Sequence, residues 1–471
     1  MADIITGRVF TDGEKGITAQ KLNDIQGLAV IQPDFVGTKP ATSTLDPTDQ
    51  LLDLKSNNTY ARISGAQIAT SVAGQLPLAS ATQPGMLATL SGNTTDFLDG
   101  TNHFQALNPA IWAVRQLTYS SVGNPGFEVD QRNCGTAVTV GTGTLGPMIC
   151  DRWAVAKSGS ATYLAQQADG GTGFKIPGSN YIITKKYFLV TLTAAVSPAA
   201  GDYMEILQVI EGSWVRELFG GVSSISLICQ SSVPNLAFNV GLSDGSNSHS
   251  LSKLCTLGAA NTPVVFTLPN LPSMSGVSGG SFSLNPGAAG YLLRIGLTAG
   301  TNLIPPANDV WQSGAYVGAV GMTQFSAQPV NSNFILYFIQ HEPGALCSTF
   351  LDKPWPQNYD ECLRYYQKSY DYGQTPGTIT GINLASFFQN IAGTSVYGHL
   401  RFHKPVAKTP TVILWDNNNG VAGSVMDNNA VHHTGAVAQY VGTTGFGGIN
   451  FNTATTGALP VFAQFTVDTG W

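Results

Sequence analysis

Asn-Pro-Gly-Phe-Glu-Val-Asp-Gln-Arg-Asn at 124–133, then a Gly/Thr-rich loop, then Cys150-Asp151-Arg152-Trp153: the reading of this stretch decides the fold. Asn-Pro-Gly is a turn signal. After it, apolar Phe127 and Val129 alternate with acidic Glu128 and Asp130. Period-two alternation predicts a strand with the apolar pair on one face and the two acids on the other. A second strand is predicted to begin at Asp151-Arg152-Trp153, with Trp153 in the core. The pair reads as the opening of a β-sandwich.

Downstream, further segments read as strands of one β-domain over 120–350: 187–192, 203–211, 224–228, 236–242, 292–297 and 334–339. Gly/Ser/Asn/Pro loops separate them, with no helical period between. The stretches 243–250 and 272–290 are polar or glycine-rich and are expected to be surface loops. The run from Pro354 to Tyr370 changes character and predicts a short helix with a proline-aromatic lead-in. Its acids come first and Arg364 and Lys368 later, as a helix dipole prefers, and Glu361 is placed to pair with Arg364. From about 378 a second β-unit is expected, with strands leading through 399–406, 410–416 and 461–467 and a turn at Asn417-Asn418-Asn419-Gly420.

Upstream, residues 1–120 do not read as one globule. A helix capped by Thr18 is expected over 17–25, and a strand at 51–54 has a hairpin partner at 59–63. Ser64 caps another helix through Val72, and a further helix is expected at about 109–117. Such short pieces cannot bury themselves alone.

Composition narrows the classes. Charged residues are 11% of the 471, against about 25% in a typical domain. Hydrophobic residues reach 43%, which excludes a charge-rich disordered chain. The net charge is −6 with no basic run, so neither duplex nucleic acid nor anionic membrane is an expected partner. No apolar run is long enough to predict membrane insertion, and the N-terminus carries no signal-peptide pattern. Of the six cysteines, Cys134, Cys150, Cys229, Cys255, Cys347 and Cys362, none has Cys-x-x-Cys spacing. Buried free thiols are the expectation, with a Cys134–Cys150 bridge as the alternative.

Four parts of the chain carry a family resemblance. Residues 124–153 resemble the first strands of jelly-roll domains in bacteriophage tail and fibre proteins. Gly85-Met86-Leu87 with 91–102 resembles a segment that precedes jelly rolls in phage fibre proteins. Pro354-Trp355-Pro356, the acidic Asp360-Glu361 and Cys362-Leu363-Arg364-Tyr365-Tyr366 resemble the element that closes such jelly rolls, and the C-terminal part is similar to the small β-module that follows them. The resemblance implies a mainly β chain: an extended virion-attachment region (1–80), a stalk (81–119), an antiparallel jelly-roll β-sandwich with a closing short helix (120–372) and a small C-terminal β-module (373–471). It implies a tail-fibre-like structural protein of a tailed bacteriophage. Such a protein adheres to bacterial surface polysaccharide for host recognition. It forms a homotrimer, contacts other virion proteins through its N-terminal region, and resides in the virion after assembly in the host cytoplasm. It needs no cofactor and is not an enzyme. Alternatives are a purely structural capsid, neck or baseplate fibre, a polysaccharide depolymerase tailspike, and a secreted carbohydrate-binding module.

Candidate chemistry is sparse. Glycan cleavage needs two carboxylates across one bond. Glu128, Asp130, Asp151, Glu205 and Glu211 are candidates, with Glu128 and Asp130 about 7 Å apart if they share a strand face. The competing expectation is that these acids bind loops or pair with Arg132 and Arg152. Adjacent His432 and His433 point to opposite faces of a strand, and His399 and His403 sit in extended sequence, so neither pair predicts a metal site. Asp244-Gly245-Ser246-Asn247 reads first as a turn and only second as a calcium loop. Neither a Gly-x-Ser-x-Gly elbow nor a P-loop is present. Exposed aromatic rings stack on sugars, and the candidates are Trp214, Trp311, Tyr316, Trp355, Tyr359 and Trp415.

Overall fold

A computed structural model describes residues 120–471 apart from 144–145, 178–179, 181, 351–352, 382–385, 390–392 and 456–458, and ahead of them the strand residues 50–54, 60–64, 96–98 and 104–106. The expected helices at 17–25 and 109–117 and residues 65–72 of the third lie outside the described residues; Ser64, its expected cap, is instead the last residue of a strand. The chain divides into two units, Met1–Asn108 and Pro109–Trp471. In the first, Gln50–Leu54 pairs antiparallel with Tyr60–Ser64, the hairpin that the alternation predicts. Asp96–Leu98 pairs with Phe104–Ala106.

The second unit is mainly β and antiparallel, as expected. One seven-stranded sheet runs, edge to edge, Trp311–Ser313, His249–Thr256, Ala237–Asp244, Ala289–Ala299, Tyr203–Glu211, Trp153–Lys157 and Met148–Cys150. A six-stranded sheet runs Val264–Leu271, Ser223–Ser231, Asn333–Pro343, Ile182–Ala194, Thr162–Lys175 and Val138–Thr139. Alternate side chains of both sheets fill one core; Phe188, Val190 and Leu192 come from one, Ile206, Ile210, Leu293 and Ile295 from the other. The strands at 162–175, 249–256 and 264–271 were not legible from alternation, and the expected loop at 243–250 is a tight turn between two strands.

The quoted stretch builds this core by a different route from the predicted one. Residues 127–130 are not a strand. Asn124 and Phe127 have φ of 50° and 58°, in the left-handed region. Phe127 N–H closes the turn onto Asn124 O at 3.2 Å. The Asn124 amide then stands in for a strand partner: it donates to Val129 O and Asp151 O and accepts from Val129 N–H, at 2.8, 2.9 and 3.0 Å. Arg152 also turns, with φ of 75°, so the second strand starts at Trp153. Phe127 still reaches the core, where its ring lies 5.2 Å from Trp153 and 5.5 Å from Phe188. Glu128 and Asp130 consequently do not share a face. Glu128 accepts from Thr184 and Lys185, while Asp130 caps its own loop through the N–H groups of Arg132, Asn133 and Gly135.

The closing helix is Trp355–Cys362, shorter than expected, with proline tolerated in its first turn. Arg364 and Lys368 therefore lie beyond it, so the dipole reading does not apply to them. Tyr366–Lys368 becomes a strand that pairs with the C-terminal Pro460–Asp468. That last strand also pairs with Ser386–Gln389, Thr411–Trp415 and Ser424–Asp427. A three-stranded sheet, Gly393–Arg401, Gly445–Thr455 and Val437–Gln439, packs over it around a separate core that includes Val396, Phe446, Ile449 and Val461.

Strand 203–211 is buried on both faces. Its outer Leu207 and Val209 lie under Tyr365 and Trp471, next to Ala154, Ala156 and Leu292. The closing segment and the C-terminus thus cover the back of the seven-stranded sheet. This is why apolar residues occupy both parities of the strand, as in Ile206-Leu207 and Val209-Ile210.

Candidate functional site

Strand 203–211 ends in Glu211, and a single 3-10 turn then presents Trp214. The Glu211 carboxylate takes a two-point contact from Arg364, Nε at 2.8 Å and Nη2 at 2.5 Å, and also accepts from Tyr365 O–H and Gly287 N–H, each at 2.7 Å. Burial works to raise its pKa, but these donors outweigh burial and hold it below the ordinary value. The Trp214 indole N–H donates to the same Tyr365 hydroxyl at 3.2 Å. The sequence pairs Arg364 with Glu361 instead. In the fold Glu361 binds Lys353 at 2.8 Å, because the helix has ended before Arg364 and turned it toward the sheet.

In front of this anchor lies an open concavity of about 430 Å³, lined by Ser213, Trp214, Arg216, Glu217 and Arg364. Arg216 and Glu217 are exposed on the short helix Arg216–Phe219. The cleft thus offers an indole wall, guanidinium and carboxylate groups and a hydroxyl.

The six candidate aromatics do not converge on it. Trp355 and Tyr359 meet at i,i+4 on the closing helix, with rings stacked at 4.9 Å and 8°, and Tyr372 stands edge-on to both. Trp355 remains 40% exposed. Trp311 is pinned by its N–H to Pro272 O at 3.1 Å and packs edge-on against Phe282 beside the sandwich core. The Tyr316 ring folds back over Gly314. Trp415 donates to Thr466 at 3.3 Å and lies over Gly377.

The other acids are structural in their geometry. Asp151 is buried, accepts from Gln131 Nε2 at 2.6 Å and lies 3.7 Å from Arg132, with burial pushing its pKa up to about 7. Arg132 continues to Asp468 and stacks on Tyr366. Arg152 makes no ion pair with these acids; it donates to Val209 O and lies 3.6 Å over the Tyr365 ring. Glu205 faces Arg294 at 3.5 Å, both buried, and burial raises its pKa. Each of the five acids named from the sequence is thereby held by protein partners.

The histidine and turn motifs resolve similarly. His432 pairs with Asp416 at 2.6 Å and His433 with Asp427 at 3.1 Å, on opposite faces of one strand. His399 lies on strand 393–401 and His403 beyond it, where its N–H donates to Gln367. Asp244 accepts from the backbone of Ser248, His249 and Ser281 and the hydroxyls of Ser246 and Ser248, which occupies its carboxylate as a turn organiser. Among the described residues no cluster of three metal-ligating side chains occurs. All six cysteines are free, so Cys134 and Cys150 are not bridged.

One surface escaped the sequence reading. Tyr397, on strand 393–401, is 62% exposed, and Tyr440, just past strand 437–439, is 76% exposed. Val396, inward, alternates with Tyr397, outward, and that alternation was the available signal.

The sequence matches no protein-family model and no curated protein. Parts of the fold are similar to solved structures, three of which are these. The carbohydrate-binding module TmCBM61 in complex with β-1,4-galactotriose is 11% identical, over 48% of this chain and 98% of that one, with a TM-score of 0.24. A family 11 carbohydrate-binding module of a cellulosomal cellulase of Clostridium thermocellum is 12% identical, over 43% and 97%, at 0.23. The enzymatically active domain of tailspike protein 4 of bacteriophage CBA120 is 11% identical, over 49% and 22%, at 0.23. At such identities and scores, nothing about ligand or activity passes from those proteins to this one.

Proposed function

We propose that this chain is an adhesive, non-enzymatic appendage protein of a tailed-bacteriophage virion, a homotrimer that attaches through its N-terminal region and holds saccharide of the bacterial surface. The observation that carries the adhesive part is the open cleft at Trp214. A pyranose stacks its apolar face on an indole and shares hydroxyl hydrogen bonds with guanidinium, carboxylate and serine groups, all of which line this cleft. An open cleft holds sugar weakly, and several copies on one particle multiply the effective affinity. The absence of cleavage is supported by the engagement of Glu128, Asp130, Asp151, Glu205 and Glu211 with structural partners. The virion part rests on the resemblance of residues 85–102, 124–153 and 354–366 to phage fibre proteins. Six free thiols are consistent with assembly in a reducing cytosol.

The test is an array of bacterial capsular and lipopolysaccharide glycans probed with the full chain and with Trp214→Ala and Arg216→Ala. Binding by the parent chain and loss in both variants supports the reading. Equal binding by all three, or none by the parent, ends it.

A further inference from the structure

Arg152 is a buried cation without an anion. The residue is 3% exposed. One N–H goes to Val209 O at 2.6 Å and the guanidinium lies 3.6 Å over the Tyr365 ring, while Nε and Nη1 donate to nothing. Among the described residues no carboxylate pairs with it. Asp151 is taken by Gln131 and Arg132, and Glu211 by Arg364, Tyr365 and Gly287. A buried charge without a counter-charge is strongly unfavourable, and one aromatic face offsets only a part of it.

A cavity of about 10 Å³, room for one particle the size of a water, is lined by this guanidinium. Half-buried Lys353 and Glu361 line it too, and they bind each other at 2.8 Å. Their charges cancel, and that of Arg152 stays unanswered. Ser120, also on the wall, accepts from Val122 N–H and His341 N–H at 3.3 Å each, which leaves its own hydroxyl proton to give. Gly123 keeps the space beside Nε open, since a Cβ there would stand 3.1 Å from that nitrogen. The groups without a partner are thus donors. A water brings them no charge and has two protons of its own to place. A halide accepts from all three and neutralises the guanidinium, with charge-assisted hydrogen bonds. A carboxylate or phosphate ligand is too large for the space.

We propose that Arg152, Ser120 and Gly123 form a binding site for one small monovalent anion of the chloride class, in the cavity that Trp214 also lines. The site goes beyond the saccharide reading and does not rest on it. Tyr365 links the two, because it carries Arg152 on its face and bonds Glu211 and the Trp214 indole through its hydroxyl. A filled anion site steadies that wall of the cleft.

The experiment melts the full chain, with no sugar present, in sodium chloride, sodium bromide and sodium gluconate at one ionic strength. Crystals soaked in sodium bromide then locate the ion by anomalous diffraction. Chloride and bromide should raise the thermal midpoint over gluconate, an anion too large for the cavity, by about 2 °C at a tenfold excess over their dissociation constant. Arg152→Gln should give one midpoint in all three salts, and Gly123→Ala, which crowds Nε, should shrink the difference. Lys185→Gln, which removes an exposed cation elsewhere, should keep it. A bromide peak within hydrogen-bonding reach of Arg152 Nε and Nη1 should mark the site. Equal midpoints for the parent chain in the three salts would overturn the proposal, as would a chloride gain that survives in Arg152→Gln. So would a water in the cavity of the bromide-soaked crystal with no anomalous peak there. If Arg152→Gln does not fold, the diffraction result on the parent chain decides.

Discussion

Glu211 and Arg364 stand 153 positions apart in the chain and meet in a two-point ion pair, with the Glu211 side chain fully buried and that of Arg364 28% exposed. The pair ties the end of a sandwich strand to the segment that follows the closing helix. Tyr365 and Gly287 complete the carboxylate's shell. The back wall of the Trp214 cleft therefore depends on a contact between the two β-parts of the molecule.

Arg364→Ala leaves a buried carboxylate without its counter-charge. Removing one partner of a buried pair costs about 3 kcal/mol. Urea unfolding of the variant should show that loss, and a change below about 0.5 kcal/mol, the range of ordinary surface substitutions, would mean the pair is incidental. The pH sign follows from a pKa held below its unfolded value. The stabilisation is complete above the unfolded glutamate pKa and fades as pH falls through the folded one.

Asp151 should show the opposite slope. Its pKa is pushed up to about 7 by burial, above the unfolded aspartate value. The folded state then keeps a proton that the unfolded state releases, so stability falls as pH rises from about 4 to about 7. Asp151→Asn should flatten that slope in thermal midpoints measured across the same interval. An unchanged slope in the variant would assign it to another group.

Phe127 carries the consequence of the left-handed turn at Asn124. Phe127→Ala removes a fully buried ring between Trp153 and Phe188 and should cost about 3–5 kcal/mol. Asn124→Ala keeps the ring but strips three hydrogen bonds and a residue suited to positive φ. It should destabilise by about 2–4 kcal/mol, since buried Val129 and Asp151 backbone groups lose partners. Chemical denaturation of the two variants measures both, and a small loss for Asn124→Ala would mean that the backbone holds the turn unaided.

Sedimentation of the full chain tests the assembly. A homotrimer of 49.5 kDa chains has a mass of about 150 kDa. A single species near 50 kDa would remove the trimeric part of the proposal and leave the Trp214 cleft to be judged separately.

The β class, the antiparallel sandwich and most of its strands were legible because alternation and turn chemistry are local properties of neighbouring residues. Strands 203–211 and 411–415 fall where the residues put them. Phe127 and Val129 were rightly assigned to the interior, but the backbone geometry that buries them was not legible. A turn and an Asn124 amide mimic what a strand would have done, and alternation is silent about left-handed φ. The chemical sites were less legible still. Glu211 meets Arg364 from 153 positions away, and Gln131 meets Asp151 from 20 positions away. Their partners are chosen by register and packing, which depend on the whole chain closing on itself.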